Sequence, residues 1–428
     1  IRRSKPTMLE KQNRIALISV DGDPAIEIGQ EEAGGQNVYV RQVGLALAQQ
    51  GWKVDMFTRR SRKEQAAIVQ HNANCRTIRL PAGAPEFIGR DELFSYLPEY
   101  VKAFQAFQQQ HGFRYSLVHT NYWLSAWVGM RLKQLQPLSQ IHTYHSLGAV
   151  KYRNIDEIPA IATQRLVVEK ACLETAEWIV ATSPQEQEHM RSLVSTTGQI
   201  DIIPCGTDID RFGSIEREAA RQQLGIATNE KVVLYVGRFD KRKGIETLVR
   251  SVARLHAAGR TNLKLIIGGG SQPGRCDGRE RDRIEGIVGE LGLDTITVFP
   301  GRLDDRILPV YYAAANVSVV PSHYEPFGLV AIEAMASRIP VVASAVGGLQ
   351  FTVVPEETGL LAPAKDDVAF AQAIDRILAD SSWARKLGER GRQRVENHFS
   401  WQGVAIELGH LYTTLNSATV ETSRAIAA

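Results

Sequence analysis

Short apolar and β-branched runs alternate with helix-like segments along almost the whole chain, and this alternation limits the fold more than any other feature. The pattern predicts strands in the first half at residues 15–20, 53–58, 76–80, 117–120, 140–144, 178–182 and 200–203. It predicts strands in the second half at residues 232–237, 263–268, 297–299, 317–321, 340–344 and 359–362. Continuous apolar strands joined by helices are typical of parallel sheets covered on both faces. We therefore predict an α/β protein with two doubly wound, Rossmann-like domains that face each other across a cleft.

A change of pattern near the middle of the chain indicates the domain boundary. The strand-like pattern stops in residues 205–226, CGTDIDRFGSIEREAARQQLGI, where a polar helix leads to the next strand. We predict an N-terminal domain at residues 1–212 and a C-terminal domain at residues 213–404. Leucines at helical spacing predict a last helix at residues 405–428, which is either a free tail or a helix that packs back on the first domain.

The composition argues against several classes of protein. A formal net charge of +3 over 428 residues, with one short basic run, does not favour a nucleic-acid partner. The four cysteines form no C-x-x-C pair and the histidines form no H-E-x-x-H, so we expect no disulfide framework and no metal site. Because no run of 18 apolar residues occurs, we expect no membrane span and no membrane partner, and the widely separated cysteines fit a reducing cytoplasm. We expect no required cofactor, with magnesium at most a stimulant, and we interpret residues 1–7 as an added or disordered tail.

A basic turn follows the first strand of the second half. Ligands of open parallel sheets bind beyond the carboxyl ends of the strands, so this turn is a candidate site. The segment GRFDKRKG places Arg238 and Lys243 five positions apart at the start of a helix. A guanidinium fork and a mobile ammonium group can clamp a diphosphate. The alternative is a solvated basic turn, which is our interpretation of Lys241 and Arg242.

Two acids flank a turn farther along the second half. The segment HYEPFGLVAIEA places Glu325 and Glu333 around a turn that opens an apolar helix. The free amides of Gly328 and Leu329 at the helix start can hold a phosphate. Carboxylates suit vicinal diols because each offers two acceptor oxygens, so Glu325 can bind a sugar and Glu333 a ribose. Together these groups predict a nucleotide-sugar site, and two acids on a helix surface are the alternative.

Two features of the first half point to the same kind of ligand. Gly34 and Gly35 precede a helix at about residues 37–49, where glycine allows close backbone approach and the helix start supplies amides. His145 follows the strand at residues 140–144 and can donate to a sugar hydroxyl. Each feature is also compatible with an ordinary loop.

The motifs of the second half resemble those of a known enzyme family. The segment HYEPFGLVAIEAMASRIPVVASAVGG resembles the E-x7-E signature of family 4 glycosyltransferases. The segment GRFDKRKG resembles the R-x4-K phosphate clamp of the same family, and the early Gly-Gly loop also fits. The order and spacing match over residues 12–410. The resemblance implies the GT-B fold and transfer with retention of anomeric configuration.

Three further stretches resemble one subgroup of that family, the bacterial sucrose-phosphate synthases. They are AGGQNVYVRQVGLALAQQGWKVDMFTRR, HTNYWLSAWVGMRL and HTYHSLGAVKY. This resemblance implies transfer of glucose from UDP-glucose, or ADP-glucose, to fructose 6-phosphate, with a separate sucrose-phosphate phosphatase as the expected partner enzyme. The related mycothiol-pathway enzyme, which acts on inositol phosphate with UDP-N-acetylglucosamine, shares similar stretches. Asn121 and Ala126 depart from the common pattern.

On the donor side, the resemblance implies that Arg238 and Lys243 hold the diphosphate. It implies that Glu325 binds the glucose and Glu333 the ribose, and that the uracil meets the backbone near Leu303. Backbone amides would complete the anion site at Gly35, Phe327, Gly328 and Leu329. His145 would lie beside the anomeric carbon, so the catalytic set comprises His145, Arg238, Lys243 and Glu325.

On the acceptor side, the resemblance implies contacts to the sugar from Gly34, Gln36, Asn37, Tyr122 and Ser146. The candidates for its phosphate are Arg90, Lys151 and Arg165, each of which is alternatively a solvated charge. The expected reaction is a front-face displacement in which the departing UDP oxygen takes the proton of the acceptor hydroxyl. No enzyme carboxylate need attack in such a reaction.

Other functions remain open at this point. The acceptor is alternatively inositol phosphate or a lipid-linked sugar, although we find no strong basic amphipathic helix to favour a lipid. A non-catalytic nucleotide-sugar sensor is the alternative from another class, and the intact Arg238, Lys243, Glu325 and His145 argue against it. A sugar-phosphate epimerase is a further alternative, against which the EPFG turn favours transfer.

Overall fold

The computed structural model describes residues 14–26, 34–155 and 157–427. The tail predicted at residues 1–7 lies outside the described residues. Strands between residues 14 and 202 form an eight-stranded sheet, and strands between residues 231 and 362 form a six-stranded sheet. Helices cover both sheets, so the predicted pair of doubly wound α/β layers is confirmed.

The first sheet has the strand order β3-β4-β2-β1-β5-β6-β7-β8. Its strands are β1 (Arg14–Ile18), β2 (Lys53–Arg59), β3 (Ile68–Asn72), β4 (Cys75–Leu80), β5 (Leu117–Asn121), β6 (Ser139–Thr143), β7 (Trp178–Ala181) and β8 (Ile200–Ile202). The second sheet has the order β11-β10-β9-β12-β13-β14. Its strands are β9 (Lys231–Val236), β10 (Leu263–Gly268), β11 (Thr297–Gly301), β12 (Val317–Val320), β13 (Val341–Ser344) and β14 (Gly359–Ala362).

The helices that follow the strands of the first sheet are α1 (Gly35–Gln49), α2 (Arg90–Leu93), α3 (Leu97–His111), α4 (Tyr122–Leu135), α5 (Gly148–Lys151), α6 (Ala162–Thr175) and α7 (Pro184–Leu193). Those of the second part are α8 (Ile209–Gly213), α9 (Arg217–Leu224), α10 (Ile245–Ala257), α11 (Cys276–Glu290), α12 (Leu308–Ala314), α13 (Leu329–Ala336), α14 (Leu349–Thr352), α15 (Asp367–Ala379), α16 (Ser381–His398) and α17 (Trp401–Ala427). Short 3-10 helices occur at Phe94–Tyr96 and Lys241–Lys243.

The edge strand β3 corrects the prediction of purely parallel sheets. It pairs antiparallel with β4, and its sequence IVQHN shows alternating exposed and half-buried side chains. An edge strand of a sheet is open on one side, so it does not need the continuous apolar run by which the buried strands were recognised. The pattern of the sequence therefore missed it.

The last helix, α17, lies against elements of the first sheet. Leu408 and Tyr412 are fully buried, and the Tyr412 ring packs edge-on against Trp52 with centroids 5.5 Å apart. The Tyr412 hydroxyl lies 2.6 Å from Nδ1 of His119 in β5. Since α17 follows the second sheet in the chain, these contacts tie the end of the chain to the first sheet. In the described part of the chain, every helix is too short or too polar to cross a membrane.

Candidate active site

The predicted diphosphate clamp and the first of the two acids lie at neighbouring strand ends. Strands β9 and β12 are parallel neighbours in the second sheet. Arg238 follows β9 and Glu325 follows β12, so the sheet places both at the same edge. Lys243 Nζ donates to Glu325 Oε2 at 2.5 Å, with the two side chains 25% and 12% exposed. The structure therefore joins a predicted phosphate ligand and a predicted sugar ligand in one ion pair.

Arg238 lies at the same edge of the second sheet as Lys243 and Glu325. It forms no ion pair with the residues that the structure describes. The Tyr235 hydroxyl donates to the Arg238 carbonyl oxygen at 3.0 Å and holds the turn. Burial away from water lowers the pKa of the Arg238 guanidinium, and the positive charges of Arg90 and Arg242 lower it further. A cation that other cations destabilise is a good partner for an anionic ligand.

Two helix starts face each other across the cleft. Gly328 has φ +94°, and a Cβ there would lie 2.5 Å from Cδ2 of Leu349, so this turn requires glycine. Leu329 opens α13, and a Cβ on Gly35 at the start of α1 would lie 3.4 Å from Cδ1 of Leu329. Helix starts present free amides, so the hollow between α1 and α13 favours an anion.

The buried side chain of Phe327 supports the turn before α13, and the buried side chain of Leu303 supports the predicted uracil site. Phe327 is 4% exposed, and its ring packs edge-on against Phe399 with centroids 5.7 Å apart. Leu303, beyond the end of β11, is also buried, and a Cβ on Gly268 would lie 2.5 Å from its Cδ1. Both side chains pack into the domain, which leaves their backbone as the part that can meet a ligand.

Glu333 lies on α13, about one turn beyond Leu329 at the helix start. The Tyr312 hydroxyl donates to Glu333 Oε2 at 3.0 Å. Burial raises the pKa of Glu333 to about 7, although the Tyr312 hydrogen bond and the charge of Arg211 oppose the shift. This carboxyl group therefore changes its charge near neutral pH.

We expect the affinity for a uridine nucleotide to rise with pH through about pH 7. A ribose diol donates to the ionised carboxylate, whereas a protonated Glu333 has lost acceptor capacity. With a pKa of about 7, binding should be about tenfold weaker at pH 6 than at pH 8. Titration calorimetry with UDP at both pH values measures this. Because the terminal phosphate titrates in the same range, the Glu333→Gln variant is the control, and an equal pH dependence in both proteins would refute the assignment.

The carboxyl ends of β5 and β6 hold two strained residues. Tyr122, directly after β5, has φ +71°, and His145, just beyond β6, has φ +59°. Residues other than glycine seldom adopt this left-handed conformation, and such strain is concentrated at functional sites. Since β5 and β6 are parallel neighbours, the strained pair marks one edge of the first sheet.

The ring of His145 is held in one orientation. Asn121 Nδ2 donates to the His119 carbonyl oxygen at 3.2 Å, so its Oδ1 accepts from His145 Nε2 at 2.8 Å. The Tyr39 ring packs edge-on against the imidazole with centroids 4.8 Å apart. Burial lowers the pKa of His145 to about 3, so the ring is neutral at pH 7 with the proton on Nε2. In the sequence Asn121 stands out only as a departure from the family pattern, although its place at a strand end was a signal.

The predicted acceptor residues at the start of α1 are engaged with the loop after β1. Gln36 Nε2 donates to Ser19 Oγ at 2.9 Å and lies 3.2 Å from an oxygen of Asp21. Asn37 Nδ2 donates to a backbone carbonyl of that loop at 3.1 Å, and its Oδ1 accepts from the amide of Gly34 at 3.0 Å. These bonds hold the glycine turn in place.

Arg165 lies beneath the cleft, and its side chain is 1% exposed. Its Nε donates to Glu169 Oε1 at 2.7 Å, and its Nη1 donates to the Tyr122 hydroxyl at 3.1 Å. Its Nη2 donates to the Ser146 carbonyl oxygen at 2.5 Å. In this arrangement all three nitrogens bind protein groups, so Arg165 holds Tyr122 and Ser146 in position.

The other two predicted phosphate ligands are more accessible. The Arg90 side chain is 50% exposed, its Nε donates to Asp21 Oδ2 at 2.7 Å, and its guanidinium lies 5.3 Å from the centre of the Tyr122 ring. Burial lowers the pKa of Lys151 to about 8, and the charges of Arg165, Arg242 and Arg90 add to the shift. Both cations therefore belong to one positive region.

A cleft of about 1440 Å³ separates the two domains. Arg90 lines it from the first domain and Arg238 from the second, whereas Glu325 and Glu333 are not part of its wall. Gly35 of the first domain closely approaches Leu329 at the start of α13, the helix that carries Glu333. Within residues 14–26, 34–155 and 157–427, no group of three or more His, Cys, Asp or Glu side chains could hold a metal ion.

Comparisons with known proteins identify the family of the chain. Residues 34–206 match the description "Glycosyl transferase 4-like domain", and residues 216–394 match "Glycosyl transferases group 1". The D-inositol 3-phosphate glycosyltransferase of Corynebacterium jeikeium is 34% identical over 411 residues, which cover 95% of this chain and 97% of the relative.

Solved structures extend the comparison to the fold. The sucrose-phosphate synthase of Thermosynechococcus elongatus superposes with a TM-score of 0.88 and 53% identity, covering 95% of this chain and 100% of that protein. The structure of HepE from Anabaena in complex with UDP and glucose superposes with a TM-score of 0.73 at 18% identity, covering 94% of this chain and 99% of that protein. The chain therefore belongs to the group 1 glycosyltransferases of family 4, which have the GT-B fold.

Proposed function

We propose that this protein transfers glucose from UDP-glucose to fructose 6-phosphate and forms sucrose 6-phosphate. The observation that carries the proposal is the contact between Lys243 and Glu325, beside Arg238, because it sets a phosphate-binding cation next to an acceptor for sugar hydroxyls. The choice of acceptor is supported by the 53% identity to the sucrose-phosphate synthase of Thermosynechococcus elongatus, against 34% to the D-inositol 3-phosphate glycosyltransferase of Corynebacterium jeikeium.

The chemistry that fits these residues is a displacement on one face of the sugar. The bond between the anomeric carbon and the UDP oxygen breaks, and the acceptor oxygen forms a bond to the same face of that carbon. The proton of the acceptor hydroxyl passes to the departing phosphate oxygen. Arg238 and Lys243 stabilise the negative charge that develops on this phosphate. Because these side chains supply the positive charge, we propose that the reaction requires no bound metal or cofactor and that magnesium is at most a stimulant.

A neutral His145 suits a place beside the anomeric carbon. The reacting carbon gains positive charge as UDP leaves, and an imidazolium would repel that charge. The half-buried ring, which stays neutral at pH 7 and donates through Nε2 to Asn121, avoids this repulsion. Closure of the cleft around both substrates would also exclude water and suppress hydrolysis of the donor.

The test is an assay of UDP release with separate acceptors. The protein is incubated with UDP-glucose and, in turn, fructose 6-phosphate, inositol 3-phosphate, unphosphorylated fructose or no acceptor. We expect fast release with fructose 6-phosphate alone, and an NMR spectrum of the product should show that the α configuration of the glucose is retained. Repeating the assay with ADP-glucose identifies the preferred nucleotide, and a Lys243→Ala protein purified in the same way controls for contaminating enzymes.

Two other outcomes would replace the proposal. Release with inositol 3-phosphate alone would make the second candidate correct, which the relative from Corynebacterium jeikeium favours. Tight binding of UDP-glucose without release for any acceptor would indicate a nucleotide-sugar sensor. If sucrose 6-phosphate is the product, we propose that a separate phosphatase completes the formation of sucrose.

A further inference from the structure

Arg90 of the first domain and Arg238 and Arg242 of the second are among the cations that line the cleft, and Lys151 lies close enough to Arg90 and Arg242 for their charges to act on it. Arg90 pairs with Asp21 and Arg242 pairs with Asp240. Lys151 and Arg238 form no ion pair with any residue that the structure describes. Two of these four positive charges therefore have no acidic ion-pair partner among the described residues.

The repulsion in this region acts across the cleft. Lys151 belongs to the first domain and Arg242 to the second, and the charge of Arg242 is among the causes that lower the pKa of Lys151, after burial and Arg165. Arg90 and Arg242 act on Arg238 in the same way. Such an arrangement is stabilised by an anion that lies between the two walls.

The Arg242 guanidinium binds Asp240 along one edge and can bind a second anion along the other. Its Nε lies 3.1 Å from Asp240 Oδ1, and its Nη2 donates to Asp240 Oδ2. This pair occupies one edge of the guanidinium and fixes its plane, while the edge that contains Nη1 makes no hydrogen bond within the described chain. The side chain is 25% exposed and lines the cleft.

The backbone of the same turn is also held. The Arg242 carbonyl oxygen accepts from the amide of His323 at 2.7 Å, and the Arg242 amide donates to Asp240 Oδ1 at 3.0 Å. Asp240 therefore orients Arg242 in a turn that is anchored to the segment before Glu325. Because both the side chain and the backbone of Arg242 are held in this way, the structure argues against the interpretation of Arg242 as part of a solvated basic turn.

We propose that Arg242 is a specificity-determining residue that binds the phosphate of the acceptor from the donor domain, opposite Arg90 and Lys151. The phosphate then joins the two walls of the cleft, and a phosphorylated acceptor is favoured because it alone makes this bridge. This inference rests on the proposed function in taking the acceptor to be a sugar phosphate. It adds a phosphate-binding residue from the second domain to Arg90, Lys151 and Arg165, the candidates that the sequence suggested in the first domain.

The experiment compares Arg242→Gln with the wild-type enzyme. The KM for fructose 6-phosphate should rise roughly 10- to 100-fold, as for a lost charge-assisted hydrogen bond. The Kd for UDP and the rate measured with a high concentration of unphosphorylated fructose should not change, so the preference for the phosphorylated acceptor should fall by the same factor. Arg242→Lys should keep part of the preference, because it keeps the charge without the fixed edge. Lys241→Gln, an exposed neighbour in the same turn, is the matched control.

The other results have distinct meanings. An unchanged preference in Arg242→Gln would overturn the inference, and so would a loss of UDP affinity as large as the change in KM, since Arg242 would then belong to the donor site. If wild-type protein uses inositol 3-phosphate instead, the proposed acceptor is wrong. The preference for the phosphorylated acceptor is then measured by comparing inositol 3-phosphate with inositol. If no acceptor reacts, the proposed function fails, and equilibrium binding of fructose 6-phosphate to wild type and Arg242→Gln decides the inference by itself.

Discussion

Replacing Lys243 with alanine is expected to lower kcat/KM for UDP-glucose by roughly 10²- to 10³-fold. In the proposed reaction Lys243 stabilises the charge that develops on the leaving phosphate. The substitution also leaves Glu325, whose side chain is 12% exposed, without its ion-pair partner. Both effects act at the reacting end of the donor, so kcat should fall more than the affinity for UDP. Steady-state UDP release and UDP titration together measure the two quantities.

Lys241→Ala provides the matched control for this experiment. Lys241 lies in the same 3-10 helix, is exposed, and forms no ion pair with the described residues. It should keep nearly normal turnover, because the described contact with Glu325 is made by Lys243 and not by Lys241. Near-normal turnover in Lys243→Ala would remove Lys243 from the catalytic set, and an equal loss in both variants would indicate a general effect of positive charge.

The second large effect is expected on stability, in Glu169→Gln. Arg165 and Glu169 are 1% and 0% exposed, and their closest atoms lie 2.7 Å apart. Removing one charge of a buried pair leaves the other without compensation, which costs about 3–5 kcal/mol. The Glu169 carboxylate also accepts from the amide of Gly148 at 2.8 Å, so its loss loosens the loop that follows β6. Urea unfolding at equilibrium should show this decrease in the free energy of unfolding.

The control for stability lies on the same helix, α6. Glu174 and Lys170 form an exposed pair with atoms 4.0 Å apart, so Glu174→Gln should change the free energy of unfolding by about 0.5 kcal/mol or less. Equal effects of the two substitutions would show that the buried pair contributes no more than a surface pair. A Glu169→Gln protein of normal stability would also weaken the view that Arg165 positions Tyr122.

Most strands could be predicted because their signal is local. The strand β10, for example, is an apolar run flanked by helical patterns, and burial on both faces requires just such a run. The strand β3 could not be predicted in this way, since an edge strand has one paired side and polar residues serve its open side. The same limit hid the antiparallel pairing with β4.

The candidate site was predicted unevenly for a related reason. Arg238, Lys243, Glu325 and Glu333 stand in two short motifs that each follow a predicted strand, so their place at strand ends suggested a common ligand. The support of His145 by Asn121 and the position of Arg242 opposite Lys151 depend on elements far apart in the chain. No pattern of neighbouring residues reports such contacts.

The sequence by itself determined the order of every described strand except β3, and thereby two sheets with candidate ligands at the carboxyl ends of their strands. The tertiary structure decided which side chains pair and which remain open to a ligand. Lys243 and Glu325 are 82 positions apart, and only the parallel packing of β9 beside β12 brings them into contact. The physical reason is that periodicity reflects burial of each segment on its own, whereas ion pairs, pKa shifts and the charge of a cleft arise from the packing of distant segments.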